Sequence, residues 1–185
     1  MKFSGTTRRV LAASTGALVL AGCGGGGSSA PSDLVAGQKG AVGYSGQLNS
    51  VKSAPTGSPA VAGIAEMVVG GGRTKLSITS TGFDNTAGYA AYVDTDACSA
   101  ADPGGGHFKF DAAGPDAVPN VIRVDLVFEV NSKGVKQVAV DSEKTFTGAA
   151  GPAAKSVVIY LVRQPRFHED QPNPPKIACA DLKPE

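Results

Sequence analysis

Residues 157–162 have the sequence Val-Val-Ile-Tyr-Leu-Val, a short apolar run that begins after Ser156 and ends before Arg163. A run of this length, rich in β-branched residues, is typical of a β-strand covered on both faces. Upstream, residues 122–130 alternate between apolar and mainly polar side chains, the pattern of a strand with one buried face. The two patterns together predict a protein built on β-sheet.

Similar stretches recur along the chain, and turn signals rich in glycine, proline and asparagine separate them. No segment has a convincing helical stripe of apolar residues. Many short strands joined by such turns are typical of a β-sandwich or barrel. Residues 164–175 contain four prolines and are predicted to form a long loop. Eight strands are predicted, near residues 41–49, 61–69, 73–82, 88–96, 121–130, 134–141, 156–163 and 176–182.

Residues 1–22 resemble the signal peptide of a bacterial lipoprotein. A basic start precedes an apolar stretch of about 11 residues, which is well short of the ~20 needed for a membrane-spanning helix. Leu20-Ala21-Gly22-Cys23 follows, so cleavage is expected before Cys23. The cysteine would then carry a diacylglyceryl thioether and an amide-linked acyl chain such as palmitate, a lasting anchor. An ordinary secretory cleavage site is the alternative, and the Arg8-Arg9 pair leaves twin-arginine export open.

This resemblance divides the chain into a signal peptide (1–22), the lipidated Cys23 with a Gly/Ser-rich tether (23–40) and one β domain (41–185). Gly24, rather than an aspartate, follows the cysteine, which in bacterial lipoprotein sorting favours the outer membrane. We therefore expect a protein of the bacterial cell envelope, held by its lipid anchor and facing the periplasm.

The charge of the chain argues against a nucleic-acid partner, and its cysteine content predicts a disulfide. Removal of the three basic residues in 1–22 leaves 14 Lys and Arg against 16 Asp and Glu, a formal charge of −2 that does not suit nucleic acid. Once Cys23 is lipidated, Cys98 and Cys179 are an even pair in an oxidising compartment, which predicts a disulfide. Two separate buried thiols are the alternative.

Several segments of the domain resemble, in order, pieces of the copper–zinc superoxide dismutase family. The resemblance covers about residues 41–183 and implies an eight-stranded Greek-key β-sandwich or flattened barrel. The similar segments are Gly63–Val69 and Lys75–Ile78 (its early hairpin), Cys98 (its loop cysteine), Gly104–Phe108 (its Gly-x-His-Phe loop), Lys155–Tyr160 (a strand that ordinarily ends in histidine) and Lys176–Cys179 (its Arg-Leu-Ala-Cys).

The resemblance also implies metal ligands that this chain mostly lacks. The family binds copper through four histidines and zinc through three histidines and an aspartate, with one histidine shared, whereas this chain has two histidines in total. His107 matches the shared ligand, and Asp125 matches the zinc aspartate. Tyr160 stands at the last copper histidine, and no histidine lies near Ala90 and Tyr92, where the family has His-x-His. With only one of the family's histidine ligands present, the chain lacks the imidazoles needed to hold copper, so dismutation by the family's mechanism is not expected.

We therefore expect a non-catalytic binding or structural module without a cofactor. Its candidate ligand surface is the vacated metal face, suited to a small ligand or a partner loop. Lys176 keeps the charge, but not the planar fork, of the family's arginine at that position. This surface comprises Ala90, Tyr92, His107, Tyr160 and Lys176.

Two other functions stay open. One is a weak copper- or zinc-binding or delivery protein that uses His107 with His168 and acidic residues. The other is an unrelated β-sandwich of the adhesion type. Purely structural roles are open as well, since His107 can pack its loop against the sandwich and Asp125 can pair with Arg123. The acidic residues around Cys98 are too few for a calcium loop.

Overall fold

The computed structural model describes residues 40–84, 86–126, 140–163 and 172–185, and this part of the chain is all β. None of these residues forms a helix that is long and apolar enough to cross a membrane. The predicted signal peptide, Cys23 and His168 lie outside the described residues. The strands are β1 (Val42–Ser50), β2 (Ala62–Gly70), β3 (Arg73–Thr81), β4 (Gly88–Asp94), β5 (Arg123–Asp125), β6 (Val140–Thr147), β7 (Ser156–Arg163), β8 (Lys176–Asp181) and β9 (Lys183–Pro184).

Strands β1 to β8 form a nearly closed antiparallel sheet that makes a barrel-like β-sandwich, which confirms the predicted class. The strand order is β5-β4-β7-β8-β1-β2-β3-β6, and the short β9 pairs with β1. Strands β1 and β8 share only two paired positions, Asn49 with Cys179 and Ser50 with Ala178. The sheet therefore divides into a first layer, β1–β2–β3–β6, and a second layer, β5–β4–β7–β8, with the core between them.

The hairpin of β2 and β3 is the most regular part of the first layer. Its pairing runs without a break from Ala62 with Thr81 to Gly70 with Arg73. The tight turn uses Gly71 and Gly72, both with positive φ (57° and 71°), a conformation that glycine adopts without steric cost. Because side chains alternate along a strand, one face of this hairpin supplies the core with fully buried residues, namely Ala65, Met67, Leu76 and Ile78.

The central strands of the second layer, β4 and β7, are buried on both faces. The inward side chains of Tyr89, Val93 and Ile159 belong to the main core. The outward side chains of Tyr92 and Tyr160 belong to a second apolar cluster. All residues from Ser156 to Tyr160 are buried, so the prediction of a strand covered on both sides is confirmed.

The connection between β4 and β5 carries the segment that includes His107, which packs against the outer face of the second layer. Backbone hydrogen bonds hold this segment in place. The Asp96 N–H donates to Gly104 O (2.8 Å), and the Phe108 N–H donates to Val93 O in β4 (2.8 Å). The predicted disulfide between Cys98 and Cys179 is present, with an S–S distance of 2.07 Å. It joins this connection to β8.

Two predicted strands differ from the observed ones. Within the predicted 121–130 strand, only Arg123–Asp125 is assigned as strand, and residues 127–130 lie outside the described part. Of the predicted 134–141 strand, residues 134–139 lie outside the described part, and the last two are the first residues of β6. The prediction did not include the rest of β6, from residue 142 to residue 147. Its sequence, Ser-Glu-Lys-Thr-Phe-Thr after Asp141, has little apolar alternation. Pairing with β3 along its whole length, rather than periodicity, makes this segment a strand.

Candidate functional site

The outer face of the second layer carries the predicted ligand surface. Alternate residues of β4 and β7 point away from the core there, and neighbouring strands set them side by side, as with Ala90 opposite Tyr160. The cluster that results is separate from the main core. It comprises Ala90, Tyr92, Val121, Val158, Tyr160, Val162 and Cys179, with Val51 and Cys98 packed against it.

Three of the predicted site residues form a compact group of rings. The rings of Tyr92 and His107 stack in parallel, with centroids 4.1 Å apart and planes 8° from each other. Tyr160 meets both rings edge-on, at 5.2 Å from Tyr92 and 5.3 Å from His107. Such edge-to-face geometry is favourable for aromatic pairs. His107 Nδ1 lies 2.9 Å from Asp116 Oδ1, which fixes the imidazole from the solvent side.

A buried carboxyl group lies beneath the rings. Asp94, the last residue of β4, is fully buried, and its Oδ2 accepts a hydrogen bond of 2.8 Å from the Tyr160 hydroxyl. Among the described residues, no donor reaches its other oxygen, Oδ1. Space is tight above it, because a Cβ placed on Gly104 would lie 2.8 Å from Asp94 Oδ2. A buried carboxyl group with one unpaired oxygen is costly when ionised.

Burial favours the protonated forms of Asp94 and of the two tyrosines. Burial raises the pKa of Asp94 to about 7, against the opposing effects of the Tyr160 hydroxyl and the Lys176 charge. Burial also raises the pKa of Tyr160, and the nearby Asp94 charge raises it further. The pKa of Tyr92 is raised, chiefly by burial. At neutral pH both phenols are therefore protonated and act as hydrogen-bond donors, not as anionic ligands.

Lys176 lies at one edge of the group formed by the rings of Tyr92, His107 and Tyr160, here called the ring group. Its Nζ donates to Asp102 Oδ1 at 2.6 Å and to Gly105 O at 2.7 Å. The ammonium group lies 5.8 Å from the centroid of the Tyr160 ring, within the range of a cation–π contact. Lys176 thus joins the glycine-rich loop to β8, and its side chain is 15% exposed.

The remaining predicted residues have different surroundings. Ala90 is fully buried beneath the ring group. Asp125 pairs with Ala90 across β4 and β5, and its carboxylate binds the Arg123 guanidinium, with Nη2 to Oδ1 at 2.7 Å. The guanidinium carbon in turn lies 5.5 Å from the Tyr92 ring centroid. Asp125 therefore forms the ion pair with Arg123 that was predicted from the sequence as the alternative to a zinc-ligand role.

The donor set of this site is poor in metal ligands. Its single imidazole is stacked and held by Asp116, and its phenols are neutral, with that of Tyr160 bonded to Asp94. Within the described ranges, no group of three or more His, Cys, Asp and Glu residues is placed to hold a metal ion. Its described groups are arranged for hydrogen bonding and ring contact.

Sequence reasoning missed the partners that hold the group together. The hydrogen bond between Asp94 and Tyr160 and the ion pair between Asp102 and Lys176 were not predicted. A signal for the first was present, since Asp94 is an acidic residue directly after a stretch that is otherwise apolar, from Tyr89 to Val93. Nothing in the local pattern indicated the second.

A scan against protein-family models finds no matching family, and a search of the curated proteins finds no significantly similar sequence.

Proposed function

We propose that this chain is a lipid-anchored protein of the bacterial cell envelope with a superoxide-dismutase-like sandwich that acts as a non-catalytic binding or structural module. The observation that carries the proposal is the ring group of Tyr92, His107 and Tyr160. These residues stand where the resemblance expects metal ligands, yet they bind one another and Asp94. At the positions where the resemblance implies metal ligands, this chain has side chains that pack against and hydrogen-bond to one another.

The strand order supports the proposed Greek-key, superoxide-dismutase-like fold. Strand β7 pairs with β4, and β5 and β6 lie beside each other where the sheet nearly closes. Around the sheet, the order β7-β4-β5-β6 then places three consecutive strands together, with the fourth returning beside the first. That is the order that defines a Greek key.

The residues present do not fit a copper centre of the kind the resemblance implies. Such a centre needs several imidazoles, whereas Tyr160 offers a protonated phenol that already donates to Asp94. Burial of the rings supports a structural role for this surface, because Tyr92 is 9% exposed and Tyr160 is 5% exposed. His107 and Lys176, at the rim, keep the larger exposed fractions and are the groups through which a small ligand or a partner loop would be bound.

The lipid anchor is supported by the sequence of residues 1–24 and is tested separately. The full chain, expressed in a bacterium supplied with labelled palmitate, should incorporate the label and fractionate with the outer membrane. Cys23→Ser should abolish labelling and release the protein from the membrane. Label retained in Cys23→Ser would refute anchoring through this residue.

The test of the non-catalytic module is metal content together with superoxide removal. The purified full chain, dialysed against copper and zinc and then against buffer, should hold much less than one metal per chain. It should remove superoxide no faster than buffer containing the same trace metal. Tyr160→Phe and His107→Ala should leave both measurements unchanged.

Copper-dependent superoxide removal by the wild-type chain would overturn the proposal. One tightly bound metal per chain, lost in His107→Ala, would instead support the metal-binding or delivery function. In that case the metal should remain bound in Asp125→Asn, because the Asp125 carboxylate is already paired with Arg123. Its retention would place Asp125 outside the metal site.

A further inference from the structure

The outer face of the first layer carries a broad cleft on the opposite side of the sandwich from the ring group. Its volume is about 650 Å³, within the range of ligand-binding clefts. Its floor is formed by outward-facing residues of β1, β2 and β3, and one wall is formed by residues 181–185. The cleft shares no residue with the ring group.

The floor of this cleft combines hydrogen-bonding groups with one exposed aliphatic side chain. Gln47 and Asn49 are alternate, exposed residues of β1, and Thr79 lies on β3. Between them Ile64 is 41% exposed, one of three large apolar side chains this exposed among the described residues. It lies directly opposite Gln47 on β1 and Thr79 on β3. A ligand can thus place an aliphatic chain against Ile64 while the polar side chains around it hydrogen-bond to the ligand's backbone.

Two carboxylates, Glu66 and Glu185, lie at the same end of the cleft without a counter-charge bonded to them. In the described part of the chain, neither Glu66 nor Glu185 has a hydrogen bond or ion pair to its side chain. A Cβ on Gly43 would lie 2.8 Å from Glu185 Oε2, so this carboxylate rests directly on β1. Burial, followed by the charge of Glu185, raises the pKa of Glu66 against the opposing effect of the Lys75 charge. Repulsion between the two carboxylates would be relieved by a bound cation.

Two cationic residues lie near this end of the cleft, and among the described residues neither forms an ion pair with Glu66 or Glu185. The Lys75 ammonium is buried and bonded to Glu143 at 2.7 Å. Lys183 is the one cationic residue in the lining, against the three acidic residues Glu66, Asp181 and Glu185. The lining therefore has a formal charge of −2.

We propose that this cleft docks an extended segment of a partner protein through a lysine side chain, whose ammonium binds between Glu66 and Glu185 and whose stem lies over Ile64. Glu66 and Ile64 are two residues apart on the same face of β2, a spacing of about 6.5–7 Å. A lysine has an apolar stem and a charged head, so it can use both features at once. A free amine would leave most of the cleft unfilled, which favours a peptide. The inference stands on this layer alone and does not depend on the superoxide-dismutase resemblance.

The test is a calorimetric titration of the full chain at low ionic strength with the blocked pentapeptide acetyl-Gly-Ser-Lys-Ser-Gly-amide. We expect saturable binding that weakens as salt is added. The same peptide with Nε-acetyllysine should bind at least about tenfold more weakly, because a charge-assisted hydrogen bond is lost. Glu66→Gln and Glu185→Gln should each weaken binding of the unmodified peptide to a similar degree. Neither variant should lower the melting temperature, because each removes one of two repelling charges.

Asp96→Asn is the matched control, since it removes one exposed carboxylate outside the cleft and should leave binding unchanged. Equal binding of the lysine and acetyllysine peptides would overturn the proposal, and so would unchanged binding in Glu66→Gln and Glu185→Gln. Butylamine that binds as tightly as the peptide would overturn docking of a peptide segment. None of these outcomes bears on metal content, so this proposal and the proposed function fail independently.

Discussion

The stability of this domain should fall as the pH rises from about 4 to about 7, and Asp94 should be the main cause. In the folded protein, burial raises the pKa of Asp94 from 3.8 to about 7. Between these values the folded state keeps the proton that the unfolded state has lost. Stability therefore decreases with pH across this window and levels off above it.

The magnitude follows from the size of the shift. Each pKa unit corresponds to about 1.4 kcal/mol, so Asp94 alone should lower the free energy of unfolding by about 4 kcal/mol as the pH rises from below its unfolded pKa to above its folded pKa. This is a large fraction of the ~5–15 kcal/mol by which a typical domain is stable. The ionised form of Asp94 destabilises the folded state because the residue is fully buried and no donor among the described residues reaches its Oδ1.

Two variants separate Asp94 from the other titrating groups. Asp94→Asn keeps the shape but cannot ionise, so its stability should lack this part of the pH dependence. Tyr160→Phe removes the hydroxyl that stabilises the ionised carboxylate, so the pKa of Asp94 should rise further and the fall should extend to higher pH. Asp125→Asn, on the neighbouring strand and largely exposed, should keep the wild-type slope.

The measurement is urea denaturation of each purified chain from pH 4 to pH 9, with the disulfide intact, followed by circular dichroism. The quantity to compare is the difference in free energy of unfolding between wild type and Asp94→Asn at each pH. An unchanging difference across the whole range would refute the reasoning, because Asp94 would then titrate alike in the folded and unfolded states. A fall in Tyr160→Phe that ends at lower pH than in wild type would refute the assigned role of the hydroxyl.

Other changes give simpler outcomes. Replacing both Cys98 and Cys179 with serine should lower the free energy of unfolding by about 4 kcal/mol in the chain-entropy model, since the disulfide spans 81 residues, and chemical denaturation measures this. Gly104→Ala should lower the melting temperature clearly, because Gly104 has φ +81° and its Cβ would clash with a Val158 methyl group. Gly106→Ala, with nothing within 4 Å of its Cβ, is the matched control and should behave like wild type. Leu76→Ala should cost about 2–5 kcal/mol by the same denaturation assay, because its side chain is fully buried in the core.

Much of the fold was predictable because strand patterns are local. The alternation in β3 and the unbroken apolar run in β7 follow from the two-residue repeat of extended backbone. The disulfide was predicted by counting the cysteines that remain once Cys23 is taken as lipidated, for a protein expected in an oxidising compartment. Strand β6 shows the limit of this reasoning, because its polar residues become a strand through pairing with β3, and no local periodicity marks that pairing.

The candidate site was predictable only in part. The resemblance placed Tyr92, His107, Tyr160 and Lys176 together, and the structure brings them into one group. The resemblance gave no indication that Asp94 would bind Tyr160, although an acidic residue directly after the apolar stretch from Tyr89 to Val93 was a usable signal. The cleft at Glu66 was not predicted at all, because its wall comes from residues at the far end of the chain.

The amino-acid sequence by itself determined the all-β class, most strand positions and the cysteine pair, because each depends on backbone geometry or on residue counts. Only the tertiary structure decided which side chains meet. Tyr160 and Asp94 are 66 residues apart and Lys176 and Asp102 are 74 apart, yet both pairs are hydrogen-bonded. Strand order and register bring such residues together, and these depend on how distant strands pack around one core, which no local pattern encodes.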